Sequence, residues 1–284
     1  MGTTAQKLNK IIETKEAIRT AINNKGGTLT TTDTFASYPT AIDSLPSGGG
    51  DPLKEYLDET KDASYLFCGY SSNGVTTWYS NLTYERLQKI LSYNTTSSVT
   101  NMEGMFYYCN VLSEIPLINT SLVTNMSRVF YGCLNLTTIP LLDTSKVTYM
   151  SSMFFNCSKL TTIPQLNTSK ITDMDSMFRN CIRLTTIDIT HMNITSTSNS
   201  SYFAYNCKSL TKLIIRNMTT IPVLNSNAFN GCYHFTGTTD ATYNPNGLKD
   251  GRIYVPDDKV DALKNATNWN VYADIIVPLS TLVE

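Results

Sequence analysis

The stretch Val123-Thr-Asn-Met126-Ser-Arg-Val-Phe130-Tyr-Gly-Cys133-Leu-Asn-Leu136-Thr-Thr-Ile139-Pro140 is followed, after six residues, by Val147-Thr-Tyr-Met150-Ser-Ser-Met-Phe154-Phe-Asn-Cys157-Ser-Lys-Leu160-Thr-Thr-Ile163-Pro164. The same pattern runs earlier from Val99 and Met102 through Met105, Phe106 and Cys109 to Leu112, Ile115 and Pro116. It runs later from Ile171 and Met174 through Met177, Phe178 and Cys181 to Leu184 and Ile187. Six cysteines, Cys109, Cys133, Cys157, Cys181, Cys207 and Cys232, fall 24, 24, 24, 26 and 25 residues apart. A unit this short cannot bury its own apolar face, so successive copies must stack on one another into a solenoid. Stacking puts Met on Met, Phe on Phe, Cys on Cys and Leu on Leu, with copies about one strand spacing apart, ~4.8 Å.

Short strands are expected around the Thr-Thr-Ile-Pro stretches, limited by the proline. The Met-Phe-x-x-Cys block reads as a helical turn or 3₁₀ segment. Asn119-Thr-Ser, Asp143-Thr-Ser and Asn167-Thr-Ser recur between the apolar blocks, where short polar residues suit tight turns. Toward the C-terminus the pattern decays. Phe203 lies four residues before Cys207 where its counterparts lie three before, and the polar run from Thr195 to Ser201 predicts a bulge or loop. The last copy, Asn227-Ala-Phe229-Asn-Gly-Cys232-Tyr-His-Phe235, has Phe235 in the leucine column. Beyond it, Gly251 to Pro256 reads as a strand and Val260 to Ile276 as an amphipathic helix, together a cap on the open end.

Residues 3 to 23 carry a helical pattern, with Leu8, Ile11, Ile18 and Ile22 as a seam and Lys15 between them. A helix this short is marginal alone and must dock on something. A second copy of the chain, as a dimer or a trimer, and the chain's own repeats are both open. The expected organisation is a helical anchor and oligomerisation module over 1–46 and a Gly/Ser linker over 47–51. An N-terminal cap over 52–98 holds a degenerate copy at Ser64-Tyr-Leu66-Phe67-Cys68, followed by the repeats over 99–240 and a C-terminal cap over 241–284.

Lys plus Arg number 22 and Asp plus Glu 23, a net charge of −1, which argues against nucleic-acid binding because phosphates need a basic face. Residues 1–6 form no basic leader, and no apolar stretch approaches the ~20 residues of a membrane span, so neither a secretory signal nor membrane insertion is expected. The cysteines sit in repeat register and not at metal-ligand spacing, which reads as reduced, buried thiols. His191 and His234 are the only histidines, and both lie in degenerate copies. Asp173 and Asp175 stand where other copies carry Asn125 and Ser127, or Tyr149 and Ser151, and read as solvated variation. No catalytic, cofactor-binding or metal-ligating residues are assigned, and the expectation is a binding protein, not an enzyme. Arg128, Tyr131, Tyr149, Phe155, Arg179 and Tyr205 vary between copies, which nominates them for an outward-facing recognition surface.

The Met-x-x-Met-Phe-x-x-Cys-x-x-Leu-x-x-Ile-Pro pattern resembles the BspA-type (Treponema-type) leucine-rich repeats and related repeats of mycoplasma surface lipoproteins. Tyr254-Val-Pro-Asp, Asn268-Trp269 and Tyr272-Ala resemble the ends of such proteins in gut Bacteroides and their phages. The resemblance covers about residues 62–284 and implies an α+β leucine-rich-repeat solenoid with an N-terminal helical anchor module and terminal caps, used for adhesion. Thr4-Ala-Gln-Lys-Leu8 through Ile18, then Lys25-Gly26-Gly27 and Thr34-Phe35-Ala-Ser-Tyr38-Pro39-Thr-Ala-Ile42, resemble the leader of tailed-phage virion proteins such as those of crAss-like phages. That implies a virion protein assembled in the host cytoplasm, a head fibre slightly favoured over a tail fibre. It would be anchored to other capsid or tail proteins and display its repeats to host surface glycan, protein or mucus. A bacterial cell-surface adhesin is the alternative. A glycan depolymerase is a third reading, needing two carboxylates ~5–9.5 Å apart in a groove.

Overall fold

A computed structural model describes residues 16–24, 28–29, 52–63, 66–67, 84, 87–88, 91, 93–195, 197–244 and 246–283. Leu8, Ile11, the linker over 47–51 and Cys68 lie outside them. The described architecture is mixed α and β, with few helices and one small parallel sheet. Residues 16–24 are helical, followed by α1 (Pro52–Thr60), α2 (Tyr233–Thr236) and α3 (Val260–Lys264). Strands β1 (Thr186–His191), β2 (Lys212–Asn217), β3 (Arg252–Val255) and β4 (Ile276–Pro278) pair in that order, all parallel. The register aligns Ile187 with Leu213, Leu213 with Ile253, and Ile253 with Ile276, one apolar column running into the C-terminal end.

The sheet appears where the repeat loses its proline. Around Ile115-Pro116, Ile139-Pro140 and Ile163-Pro164 the chain is extended but forms no strand. β1 begins in the copy where Asp188 stands in the proline's place, and β2 in the copy reading Lys212-Leu-Ile-Ile. Proline has no N–H to give a ladder, so the expected Thr-Thr-Ile-Pro strands do not form and the sheet is confined to the later copies.

The Met-Phe-x-x-Cys block is a chain of turns and not the expected helical segment. Met105, Tyr107 and Cys109 donate their N–H groups three residues back, to Met102, Gly104 and Phe106. The alternate donors, Gly104, Phe106 and Tyr108, reach the next copy at Ser127, Val129 and Tyr131. The first and last of these turns carry the positive φ at their third residue that a type II turn requires, and the middle one, with Phe106 third, does not. The third residue is Gly104, Arg128, Ser152, Ser176 or Tyr202 in the first turn, with φ of 53 to 60°. In the last it is Tyr108, Gly132, Asn156, Asn180, Asn206 or Gly231, with φ of 57 to 77°. Glycine and asparagine dominate the last series because they adopt this conformation at least cost.

The columns expected from the repeat are present. Rings of Phe67, Phe106, Phe130, Phe154 and Phe178 stack at successive centroid distances of 5.6, 5.6, 5.6 and 5.5 Å. Each of the six described cysteines is buried and outside any disulfide. Its thiol donates to a carbonyl of the preceding copy, from Cys133 to Phe106, Cys157 to Phe130 and Cys181 to Phe154, each at 3.0 Å. Burial pushes the Cys157, Cys181 and Cys232 thiols well up, and Cys207 to about 12, so they are protonated donors at neutral pH. Cysteine thus combines a small apolar volume with the donor that a buried carbonyl needs.

Phe67 belongs to the degenerate copy before the clear ones, and it makes the same contacts: its N–H meets Met105 O, and its carbonyl accepts the Cys109 thiol. The column changes at Phe203. Phe203 occupies the methionine position, since Phe178 N–H donates to its carbonyl as Phe154 N–H does to that of Met177, and Ala204 takes the phenylalanine position. Its ring still lies between Phe178 and Phe229, edge-on to both at 90° and 89°. The polar run before it forms the 3₁₀ turn Thr197–Ser200.

The cap differs from the expected helix. Only Val260–Lys264 is α-helical, because Asn265, Thr267 and Asn268 follow and Asn268 turns left-handed at φ 63°. The chain then makes the 3₁₀ turn Asn270–Tyr272 before β4. Trp269, fully buried, donates its indole N–H to Pro222 O at 2.8 Å and locks the cap onto the last copies. At the other end, Ile18, Ile22 and Leu29 are buried in the same apolar cluster as the repeats. The described part of the N-terminal seam is therefore spent within the chain.

Candidate recognition surface

The residue after each column phenylalanine points away from the core. In successive copies it is Tyr107, Tyr131, Phe155, Arg179 and Tyr205, all half-buried. The carbonyls of Tyr131, Phe155, Arg179 and Tyr205 each accept an N–H from the preceding copy, which fixes their spacing. Tyr107 stacks on Tyr131 at 4.8 Å and 20°, and Tyr131 on Phe155 at 4.4 Å and 2°. Arg179 continues the row as a planar cation, its guanidinium carbon 5.3 Å from the Phe155 centroid, 4.4 Å from Tyr202 and 5.3 Å from Tyr205. Arginine suits this place because its flat, weakly hydrated head stacks on rings. Its Nε is buried without a hydrogen-bond partner.

Tyr108 closes one flank, edge-on to Tyr107 at 4.8 Å and to Tyr131 at 5.5 Å. Gly132 makes room for it: a Cβ there would lie 2.6 Å from the Tyr108 ring, on a backbone already at φ 72°. Burial, with Tyr108 beside it, raises the Tyr131 phenol above its ordinary value, while Arg128 and Arg179 oppose the rise. Arg128 is paired with Glu103 at 2.8 Å.

Of the nominated residues, Tyr131, Phe155, Arg179 and Tyr205 come together in one row, with Arg128 at its edge. Tyr149 does not join them. It continues the bridged series Asp62, Asn101 and Asn125 and is 60% exposed. Tyr107, Tyr108, Tyr202 and Glu103 were not nominated, although reading the position after each column phenylalanine down the copies finds Tyr107.

Asp173 accepts the Asp175 N–H at 2.9 Å, the same short turn that Asn125 makes with Ser127. Asp175 is not solvated variation as expected: burial raises its carboxyl pKa, against the pull of Ser176, Arg179 and Arg128. A carboxyl raised in the fold favours folding below its unfolded pKa and loses that contribution as pH climbs through the folded value. Asp175→Asn is therefore expected to raise the melting temperature at neutral pH, the gain vanishing once the solution is more acidic than the ordinary 3.8. Equal gains at both pH values would show that burial of the charge is not the cause.

His191 bonds through its backbone to the Thr168 hydroxyl and through Nδ1 to Thr190 Oγ1, and His234 Nδ1 lies 2.7 Å from Asp250. Among the described residues no group of three or more His, Cys, Asp or Glu side chains could hold a metal ion, and no helix is long and apolar enough to cross a membrane.

No curated protein matches the chain. Residues 75–162 and 134–241 match the family described as Mycoplasma protein of unknown function, DUF285. The two matches overlap and together cover more than half of the 284 residues, so the chain belongs to that family.

Proposed function

We propose that this chain is a non-enzymatic recognition protein of the BspA-like type, built as a leucine-rich-repeat solenoid of ~24-residue units. Its function is to present the Tyr107–Tyr131–Phe155–Arg179–Tyr205 row to a host surface glycan or protein. The observation that carries the reading is the row itself. Stacked aromatic and arginine side chains held at backbone spacing form a rigid contact surface of the kind that anchors interfaces, and they serve no other column of the core. The particle assignment, a phage virion appendage, rests on the likeness of residues 4–42 to virion leaders, and assembly as a homo-oligomer, dimer or trimer, would fall to Leu8 and Ile11 of the N-terminal seam, since Ile18 and Ile22 are buried within the chain. A bacterial surface adhesin would use the same row. Capsid or tail genes beside the coding sequence favour the virion, and an encoded lipid-attachment signal favours the adhesin.

The test uses the full chain, fluorescently labelled, on cells of the candidate host. Arg179→Ala and Phe155→Ala are each expected to weaken cell binding by ~10-fold or more while the far-ultraviolet circular dichroism is unchanged. Undiminished binding by both variants would remove the row from recognition. Failure of the parent protein to bind any host or mucus preparation would end the adhesion reading.

A further inference from the structure

The copies are fastened together at one edge by a repeated hydroxyl staple. Thr96 Oγ1 donates to Asn119 O and accepts its N–H, both at 2.9 Å. Thr144 does the same with Asn167 at 2.9 and 2.8 Å, and Thr168 with His191 at 2.5 and 2.8 Å. Ser200 bridges Val223 O and Asn225 N–H. Thr120 should meet Asp143 in this way and does not. Its side chain is 2% exposed, and its Oγ1 has no hydrogen-bond partner. A buried, unpaired hydroxyl destabilises the fold, because its lost hydration is not replaced.

A groove opens at the same place. It has a volume of about 400 Å³ and is bordered by Leu117 and Thr120 of one copy, Leu141 and Asp143 of the next, and Gln165 beyond. Leu117 and Leu141 are 54% and 68% exposed, large for aliphatic side chains beside an open cleft. Pro116 and Pro140 lie immediately before these residues, where the copies lack the ladder that returns at Leu166 and Ile189. No Lys or Arg borders the groove. Its one carboxylate, Asp143, is engaged by the Ser145 N–H at 3.0 Å, and Ser145 holds its pKa down.

We propose that this groove is a binding site for a neutral sugar residue. Leu117 and Leu141 offer an apolar wall for the C–H face of a pyranose ring, backed by the buried Ile118 and Leu142. Thr120 supplies a hydroxyl, and Gln165, whose amide nitrogen is engaged by Asp188, its amide oxygen, for the ring substituents. One sugar hydroxyl enters the missing staple and hydrogen-bonds Thr120 Oγ1, which is buried in the unliganded fold, so binding shifts the groove wall to uncover it. The rim carries the Asp143 carboxylate and no cation, so it gives no partner to a carboxylated or sulfated sugar, and the volume lies within the ~300–1,000 Å³ common for small-molecule sites. The groove and the aromatic row share no residue, so either can fail alone.

The experiment is saturation-transfer NMR and calorimetry on the full chain. The probes are glucose, galactose, mannose, fucose, N-acetylglucosamine and their common disaccharides, with glucuronic acid as the acidic control. At least one neutral sugar is expected to bind with Kd below ~10 mM. Thr120→Val, which keeps the shape and removes the hydroxyl, should weaken it by 10-fold or more without lowering the melting temperature. Thr144→Val, which breaks a made staple, should lower the melting temperature. The site is overturned if no neutral sugar binds, if glucuronic acid binds equally well, or if Thr120→Val binds unchanged. A melting temperature lowered as much by Thr120→Val as by Thr144→Val would show that the hydroxyl is already satisfied by water, and would equally overturn it.

Discussion

Phe154→Ala is expected to destabilise the repeat region by about 3–5 kcal/mol, the range for deleting a fully buried aromatic ring. Phe154 is completely buried, with Phe130 5.6 Å away on one side and Phe178 5.5 Å away on the other, both within 15° of parallel. Its backbone is pinned from three directions, by Met177 O and by the N–H of Cys157 and the thiol of Cys181 on its carbonyl. The copy cannot close around the void without breaking those bonds, so the cavity persists and carries its full penalty. In a stack where each unit touches its neighbours, one vacancy weakens two interfaces at once. Against a typical total of about 5–15 kcal/mol, that loss is large. Equilibrium urea unfolding, followed by circular dichroism, measures it. A change below ~1 kcal/mol would mean that the column relaxes freely and that ring stacking does not hold the copies together.

What was legible in the sequence followed from repetition. Met102, Phe106, Cys109 and Leu112 recur with fixed spacing, and any residue that recurs in a stack must face its counterpart, so the buried columns could be read directly. The path of the backbone between those residues could not. The Met-Phe-x-x-Cys block has helix-like spacing, yet it folds as linked turns because alternate N–H groups are drawn to the next copy, a long-range demand that local pattern does not reveal. Asn156, Asn180 and Asn206 were the local sign of it, residues tolerant of the left-handed backbone at one repeat position. The cap helix was overextended for a similar reason: its apolar spacing was right, but Asn265 and Asn268 stop the helix. The aromatic row was partly legible, as variation at one column. The Thr120 groove was invisible, because threonine recurs at that position in Thr96, Thr120, Thr144 and Thr168 while only the Thr120 hydroxyl leaves its hydrogen bond unmade.

The register change at Phe203 allows a sharper test of the column. The Met177-Phe178 pair of one copy is followed by Phe203-Ala204 and then by Ala228-Phe229, all fully buried. Large and small side chains are exchanged between the two positions, and the Phe203 ring reaches across to fill the space beside Ala204. Ala204→Phe alone adds a ring where one already lies, and overpacking is expected to cost about 1–3 kcal/mol. Phe203→Met alone withdraws the ring and leaves a void between Phe178 and Phe229, costing about 1–3 kcal/mol. The double variant restores the Met-Phe order of the earlier copies, so the new ring can enter the space that Phe203 vacates. The two changes should therefore compensate, with the double variant more stable than the sum of the singles by about 1–3 kcal/mol. Additive losses in the same urea experiment would show that the two positions are independent. The change from stacked to edge-on rings at this copy would then have to come from the 26-residue spacing itself and the turn at Thr197–Ser200.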